Sequence, residues 1–133
     1  MVISIGLPIY KGGSIYNCQA IVLKGKLLGL VPQNEIEDDY RRRYFSTFNG
    51  TTSMLINEEK VPFGSDLIFF VNSTPDFGFG VAIGGEYSKI SHLVSRGTKM
   101  ILSSAAIPET LEQDGLTINK LTTILKSNKS IIQ

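Results

Sequence analysis

The stretch that decides the fold is FGFGVAIGGEY, Phe77 to Tyr87. A short apolar run with strand character, Gly80 to Ile83, meets a Gly84-Gly85 turn, and a helical pattern follows from Glu86 to Ser95 until Arg96-Gly97 stops it. A further strand-like run, Lys99 to Ser103, comes next. Strand, helix and strand in succession imply a right-handed parallel crossover. Many α/β enzymes hold a reactive group on the turn that joins such a strand to its helix. Neither Gly84 nor Gly85 offers one.

Upstream of Gly78 the pattern is one of hairpins. Val2 to Leu7 reads as an opening strand closed by Pro8, and a chain that starts on a strand is expected to lack upstream partners. Ile15 to Leu23 and Lys26 to Val31 flank Lys24-Gly25, which is hairpin turn chemistry. EIEDDYRRRYF, Glu35 to Phe45, is a charged loop or a short amphipathic helix. A second hairpin is expected about Glu58-Glu59, then a strand over Asp66 to Asn72, and STPDFG, Ser73 to Gly78, has turn composition. Leu116 to Ile132 carries apolar residues at helical spacing and predicts a C-terminal helix. Hairpins first and a parallel crossover later make an α/β or α+β chain with a mixed sheet.

Composition bounds the rest. With 133 residues, 42% hydrophobic and 19% charged, the chain has the make-up of one globular domain. The net charge of +1 gives no global field for nucleic acid or an anionic membrane. The longest apolar run, Leu67 to Val71, is far short of the roughly 20 residues that span a bilayer. The N-terminus lacks the basic, apolar and small-residue regions of a secretory signal, and one cysteine permits no internal disulfide, so a cytoplasmic location is expected.

Single residues do not assemble a site. Cys18 alternates with Tyr16, Ala20 and Val22 on one face of a hairpin strand, where a free cysteine serves as a small hydrophobe. His92 is the only histidine, which excludes a multi-histidine metal site, and spacing alone leaves a Ser-His-Asp assembly open although no GxSxG elbow is present. The glycines at 78, 80, 84 and 85 do not fall in GxGxxG order, although the Gly84 and Gly85 amides could face an anion at the helix start. YRRRYF, Tyr40 to Phe45, mixes arginines with aromatics as nucleic-acid sites do, but Glu35, Glu37, Asp38 and Asp39 directly before it cancel the field. No metal, cofactor or nucleic acid is therefore expected.

Whole phrases carry a resemblance. IGLPIYKGGSIYNCQAIVLKGKLLGLVP, RRYF, VPFGSDLIFF and MILSSAAIPET are similar, in this order, to the middle of the glutaminase domain of glutamine-dependent NAD synthetases, a branch of the nitrilase (carbon-nitrogen hydrolase) superfamily. The similarity runs from about Val2 to Thr110, less than half of that domain, and the tail from Leu111 to Gln133 departs from it. The resemblance implies a single partial domain with an αββα sandwich. It also implies, for intact members, hydrolysis of glutamine to supply ammonia to a separate ATP-dependent domain. The chemistry it implies uses a Glu-Lys-Cys triad: a carboxylate base, a lysine for the oxyanion and a cysteine nucleophile.

Carried over position by position, that triad is absent. The family lysine follows the hairpin in a VPK phrase, and here VPQ puts Gln33 in its place. The nucleophile comes in a V-E-I-C-E-D phrase, and here VAIGGE puts Gly84 at the cysteine, Ala82 and Gly85 at the flanking acids and Glu86 at the aspartate. The family's carboxylate base would precede Met1, and the loop after Gln33 is shorter than the family's. Gly85, Glu86, Ser103 and Ser104 would line any residual pocket. The expected molecule is a fragment or pseudoenzyme of the glutaminase domain. Competing expectations are an interaction module that self-associates or takes up a chain to complete its sheet, an enzyme with replaced chemistry at Glu86 or His92, and a decayed or engineered fragment.

Overall fold

A computed structural model describes residues 1–84 and 86–104. Gly85, the expected C-terminal helix and the divergent tail lie outside the described residues. The elements are β1 (Val2–Lys11), β2 (Ser14–Leu23), β3 (Lys26–Pro32), α1 (Asp39–Arg42), β4 (Thr51–Ile56), β5 (Glu59–Gly64), β6 (Phe69–Val71), β7 (Thr74–Ile83), α2 (Tyr87–Ser95) and β8 (Met100–Ser104). The first five strands form a sheet in the order β1-β2-β3-β5-β4, and the last three form a second sheet in the order β6-β7-β8. Both are mixed. In the first, β3 and β5 run parallel while the other pairs are antiparallel, and in the second, β7 and β8 make the expected parallel crossover around α2. No helix among the described residues is long and apolar enough to cross a membrane.

Local turn chemistry explains the hairpins. Lys24 and Gly25 have φ of +50° and +75°, the left-handed pair that a two-residue hairpin demands. The second hairpin turns one residue earlier than expected. Asn57 and Glu58 take the positive φ values, 50° and 66°, because asparagine enters that region more readily than glutamate, and Glu59 already pairs with Ile56.

Three other expectations are corrected. Pro8 does not close β1, which continues to Lys11 and pairs with β2 along its whole length. An edge strand accommodates proline when the missing N–H falls on its open side. The apolar run after Asp66 yields only the three residues of β6. STPDFG is mostly strand: β7 starts at Thr74, and the register slips where Phe70 pairs with Gly78 but Val71 with Thr74. That irregularity absorbs the turn-like composition.

The two sheets pack face to face through Ile21 and Val31 of the first and Phe69, Phe79, Val81 and Ile83 of the second. On β7 the alternation is strict. Phe79, Val81 and Ile83 face the other sheet, while Gly78, Gly80 and Ala82 turn to the opposite side, where Ala82 packs with Ile90 and Leu93 of α2. A Cβ on Gly80 would stand 2.8 Å from Leu93, so the small residue sets how closely helix and strand approach. The far face of the first sheet holds Cys18, Ala20, Leu30, Val61 and Phe63. There Tyr16, Phe48 and Phe63 meet edge to face, and the Lys11 ammonium reaches over the Phe63 ring at 5.7 Å. Since β1 and β5 are three positions apart in a sheet whose strands sit about 4.8 Å from each other, that contact requires the sheet to curl.

α1 buries no residue. Its arginines pair with Asp38 and Asp39 at 3.8 Å in exposed ion pairs, the solvated charged segment that the sequence implied.

Candidate functional site

β3 and β7 belong to different sheets, and the packing between them brings the ends of both strands together. Gln33 directly follows β3 and is buried. Its backbone N–H donates to the Asn17 carbonyl at 2.8 Å, and its carbonyl accepts from the Phe48 N–H at 3.2 Å. Its side-chain oxygen accepts from Asn17 Nδ2 at 3.1 Å, and its Nε2 donates to the Ile83 carbonyl at 3.5 Å. Gly84 directly follows β7, has φ of +63° and donates its N–H to the Ser104 carbonyl at 2.7 Å. A Cβ at position 84 would stand 3.0 Å from Gln33 Nε2. The elbow therefore aims any side chain at position 84 toward the Gln33 amide.

That geometry gives a direct prediction. Gly84→Cys or Gly84→Ala should destabilise the fold by about 2 kcal/mol, from the left-handed backbone plus the tight approach to Gln33. Urea unfolding followed by circular dichroism measures it. A change under about 0.5 kcal/mol would mean that the elbow is not held in this conformation.

Beside the elbow is a buried ion pair. Glu86 Oε2 lies 3.2 Å from Lys89 Nζ, and both side chains are essentially inaccessible. The same carboxylate accepts from the backbone N–H groups of Ile83 at 2.8 Å, Asn34 at 2.5 Å and Glu35 at 3.4 Å. Burial lowers the Lys89 ammonium below its ordinary 10.5, and the attraction of Glu86 opposes that shift. Glu86 thus ties the residue before Gly84, the two residues after Gln33 and the first turn of α2 into one unit. With these donors converging on it, the carboxylate is committed to structure rather than available as a base.

The other sequence candidates separate from this centre. Ser103 and Ser104 are exposed at the end of β8, and Ser104 meets the elbow through its backbone carbonyl. Cys18 sits in the far-face cluster with its thiol pushed up to about 12 by burial, so it supplies no thiolate near neutral pH. Ser88, His92 and Asp66 line one cleft of about 210 Å³ with Asn34, Ser65 and Lys89. No relay joins them: Ser88 Oγ donates to Glu35, Asp66 meets Arg96 at 3.3 Å, and His92 Nε2 is 3.8 Å from Asp66. His92 thus belongs to a surface charge cluster. A wider cavity of about 670 Å³ lies over the loop after Gln33, lined by Glu35, Glu37, Arg42 and Phe45. Among the described residues no group of three or more histidine, cysteine or acidic residues could hold a metal ion.

Asn17 and Lys89 are the site residues that sequence reasoning missed. A lone asparagine in a strand carries no signal. Lys89 does, since it stands three residues after Glu86 on a helix, a spacing that brings opposite charges together.

No protein-family model matches the chain. The glutamine-dependent NAD(+) synthetase of Mycobacterium tuberculosis is 30% identical over 86 residues, which is 62% of this chain and 13% of that protein. The crystal structure of a glutamine-dependent NAD(+) synthetase from Cytophaga hutchinsonii superposes with a TM-score of 0.74 at 26% identity, covering 90% of this chain and 20% of the other. A Saccharomyces cerevisiae member of branch 10 of the nitrilase superfamily shares the fold, with a TM-score of 0.63 at 15% identity, covering 93% of this chain and 40% of the other. The chain therefore spans only a small part of the synthetases it matches. Over that part it is homologous to glutamine-dependent NAD(+) synthetase, and its fold is that of the nitrilase, or carbon-nitrogen hydrolase, superfamily.

Proposed function

We propose that this polypeptide is a non-catalytic relative of the glutamine-hydrolysing part of NAD synthetase, corresponding to a fragment of that domain. The observation that carries the proposal is what stands at the elbow. Gln33 and Gly84 face each other across the ends of β3 and β7, where the family resemblance puts a lysine and a cysteine. Attack on an amide carbon needs a nucleophile, and glycine supplies none. Stabilising the tetrahedral oxyanion needs charge or converging donors, and the Gln33 amide is neutral and already donating to Ile83. Members of such a catalytic unit each contribute several orders of magnitude to the rate and do not add independently. Cys18, buried in the far-face cluster, does not substitute.

The test is incubation of the purified chain with labelled glutamine, following glutamate and ammonia. The expected result is no release above the protein-free control. Turnover comparable with that of an intact synthetase would end the proposal.

A second reading, an interaction module built on the same sheets, is favoured by β1. Among the described residues this ten-residue strand is an edge of the first sheet, and it carries exposed isoleucines. Either a second copy or a separate chain completing the sheet would satisfy that edge. Light scattering on the purified protein across a concentration series separates this reading from a monomer without partners.

A further inference from the structure

We propose that Asn49-Gly50 is a site of spontaneous covalent modification, at which the folded chain converts its own asparagine amide to a carboxylate and reroutes the main chain. Asn49 is the only asparagine of the sequence that glycine follows. Both residues are exposed, in the segment that leads into β4. Among the described residues neither the Asn49 side-chain amide nor the Gly50 N–H makes a hydrogen bond, while the Gly50 carbonyl accepts from the Ser65 N–H at 3.1 Å.

The chemistry needs only those two residues and water. Once the Gly50 N–H gives up its proton, its nitrogen attacks Asn49 Cγ and a five-membered ring closes. The Cγ–Nδ2 bond then breaks, and Nδ2 takes up a proton and leaves as ammonia. Water opens the resulting cyclic imide at either carbonyl. Cleavage of the new bond to Cγ leaves aspartate, and cleavage of the original peptide bond leaves isoaspartate, whose main chain runs through Cβ and Cγ. Nothing is oxidised or reduced.

Glycine makes the attack possible because no Cβ crowds its nitrogen, and a φ of +103° holds Gly50 in the region that favours glycine. A Cβ at position 50 would meet nothing within 4 Å, so the reacting atoms have open space around them. Every other asparagine precedes a residue with a side chain. Two of them are also restrained: Asn17 Nδ2 donates to Gln33, and the N–H that follows Asn34 donates to Glu86.

The isoaspartyl product lengthens the main chain by one carbon immediately before β4. There is no slack there to absorb it. A Cβ on Gly64 would stand 2.9 Å from Thr51 Oγ1 and 3.1 Å from the Gly50 carbonyl oxygen, and Thr51 Oγ1 donates to Asp66 at 3.1 Å. The added carbon should therefore pull the Gly50 carbonyl off the Ser65 N–H.

Peptide mapping by mass spectrometry tests this on the full chain, kept folded at neutral and at mildly alkaline pH. The expected result is conversion of amide to acid at Asn49 at least about tenfold faster than at any other asparagine, because only there is the attacking nitrogen uncrowded. The rate should rise with pH, and aspartyl and isoaspartyl peptides should both form. Circular dichroism confirms that the fold persists. Asn49→Gln, whose longer side chain would have to close a larger ring, should not convert on the same timescale. Hydrogen exchange should show the Ser65 amide exposed in the isoaspartyl chains and protected in Asn49→Asp, which carries the charge without the longer main chain. An Asn49 that stays an amide in the folded chain would overturn the proposal, as would conversion led by another asparagine or a rate that ignores pH. A Ser65 amide that stays protected in the isoaspartyl chains, or is exposed equally in Asn49→Asp, would overturn the displacement by the added carbon.

Discussion

Glu86→Ala is expected to lower the unfolding free energy by about 3–5 kcal/mol, the cost of removing one partner of a buried ion pair. For a domain whose total stability is typically about 5–15 kcal/mol, that is a large fraction. Two penalties coincide. The Lys89 ammonium loses its carboxylate in a site closed to water, and the N–H groups of Ile83 and Asn34 lose their acceptor. Removing the other partner is different. In Lys89→Met the carboxylate still accepts from three backbone N–H groups, and a buried cation is replaced by an apolar chain of similar length. The Lys89 change should therefore cost clearly less than the Glu86 change. Glu86→Gln combined with Lys89→Met should recover most of what Glu86→Ala loses.

The pH dependence carries the same asymmetry. Burial lowers Lys89 below 10.5, so the unfolded chain binds this proton more tightly than the folded one. The lysine's penalty is full below its lowered value and is relieved as pH rises toward 10.5. The stability of the wild type measured against Lys89→Met should thus improve from neutral pH toward that limit. Urea midpoints of the four proteins at two pH values measure both effects. A Glu86→Ala loss under about 1 kcal/mol would mean that the pair does not brace the elbow.

The legible parts of the fold were those written in local chemistry. Lys24-Gly25 announced its hairpin because a left-handed pair needs such residues, and Gly84-Gly85 followed by Glu86 to Ser95 announced the strand, elbow and helix. What misled was long-range. Pro8 looks like a stop until the strand is known to be an edge, and Thr74 to Asp76 looks like a turn until β6 is known to be short. At the site, sequence alone left Glu86 as a candidate base, and its four donors come from three segments, the farthest of them 52 residues from it along the chain. No periodicity carries that information. The alternation of Phe79, Val81 and Ile83 with Gly78, Gly80 and Ala82 emerges only in the structure, because the sequence reading began the strand at Gly80 and left Gly78 in a turn. It is the mark of a strand buried on both faces, with the small side reserved for a helix.

Phe79→Ala is the second large effect, expected at about 3–5 kcal/mol because a fully buried aromatic leaves a cavity that its surroundings fill only in part. Phe79 stacks on Phe69 with ring centroids 5.4 Å apart and contributes to the core between the two sheets. It also lines an apolar crevice of about 440 Å³ with Val2, Val71, Met100 and Leu102, so its removal would enlarge an opening that already reaches the surface. The consequence extends to the elbow. Gln33 follows a strand of one sheet and Gly84 a strand of the other, so their approach is set by how the sheets pack, and Phe79 sits four residues before Ile83 on β7. Loosening that packing should weaken the Gln33 bond to the Ile83 carbonyl along with global stability. Amide exchange distinguishes the two levels: the Gly84 N–H is bonded to Ser104 within the second sheet, whereas the Asn34 N–H is bonded across to Glu86, so Asn34 should lose protection before Gly84 if the sheets separate before they unfold. Simultaneous loss of protection at both amides would instead make the two sheets and the elbow a single cooperative unit, with Phe79 as much a determinant of the site's shape as Gln33 itself.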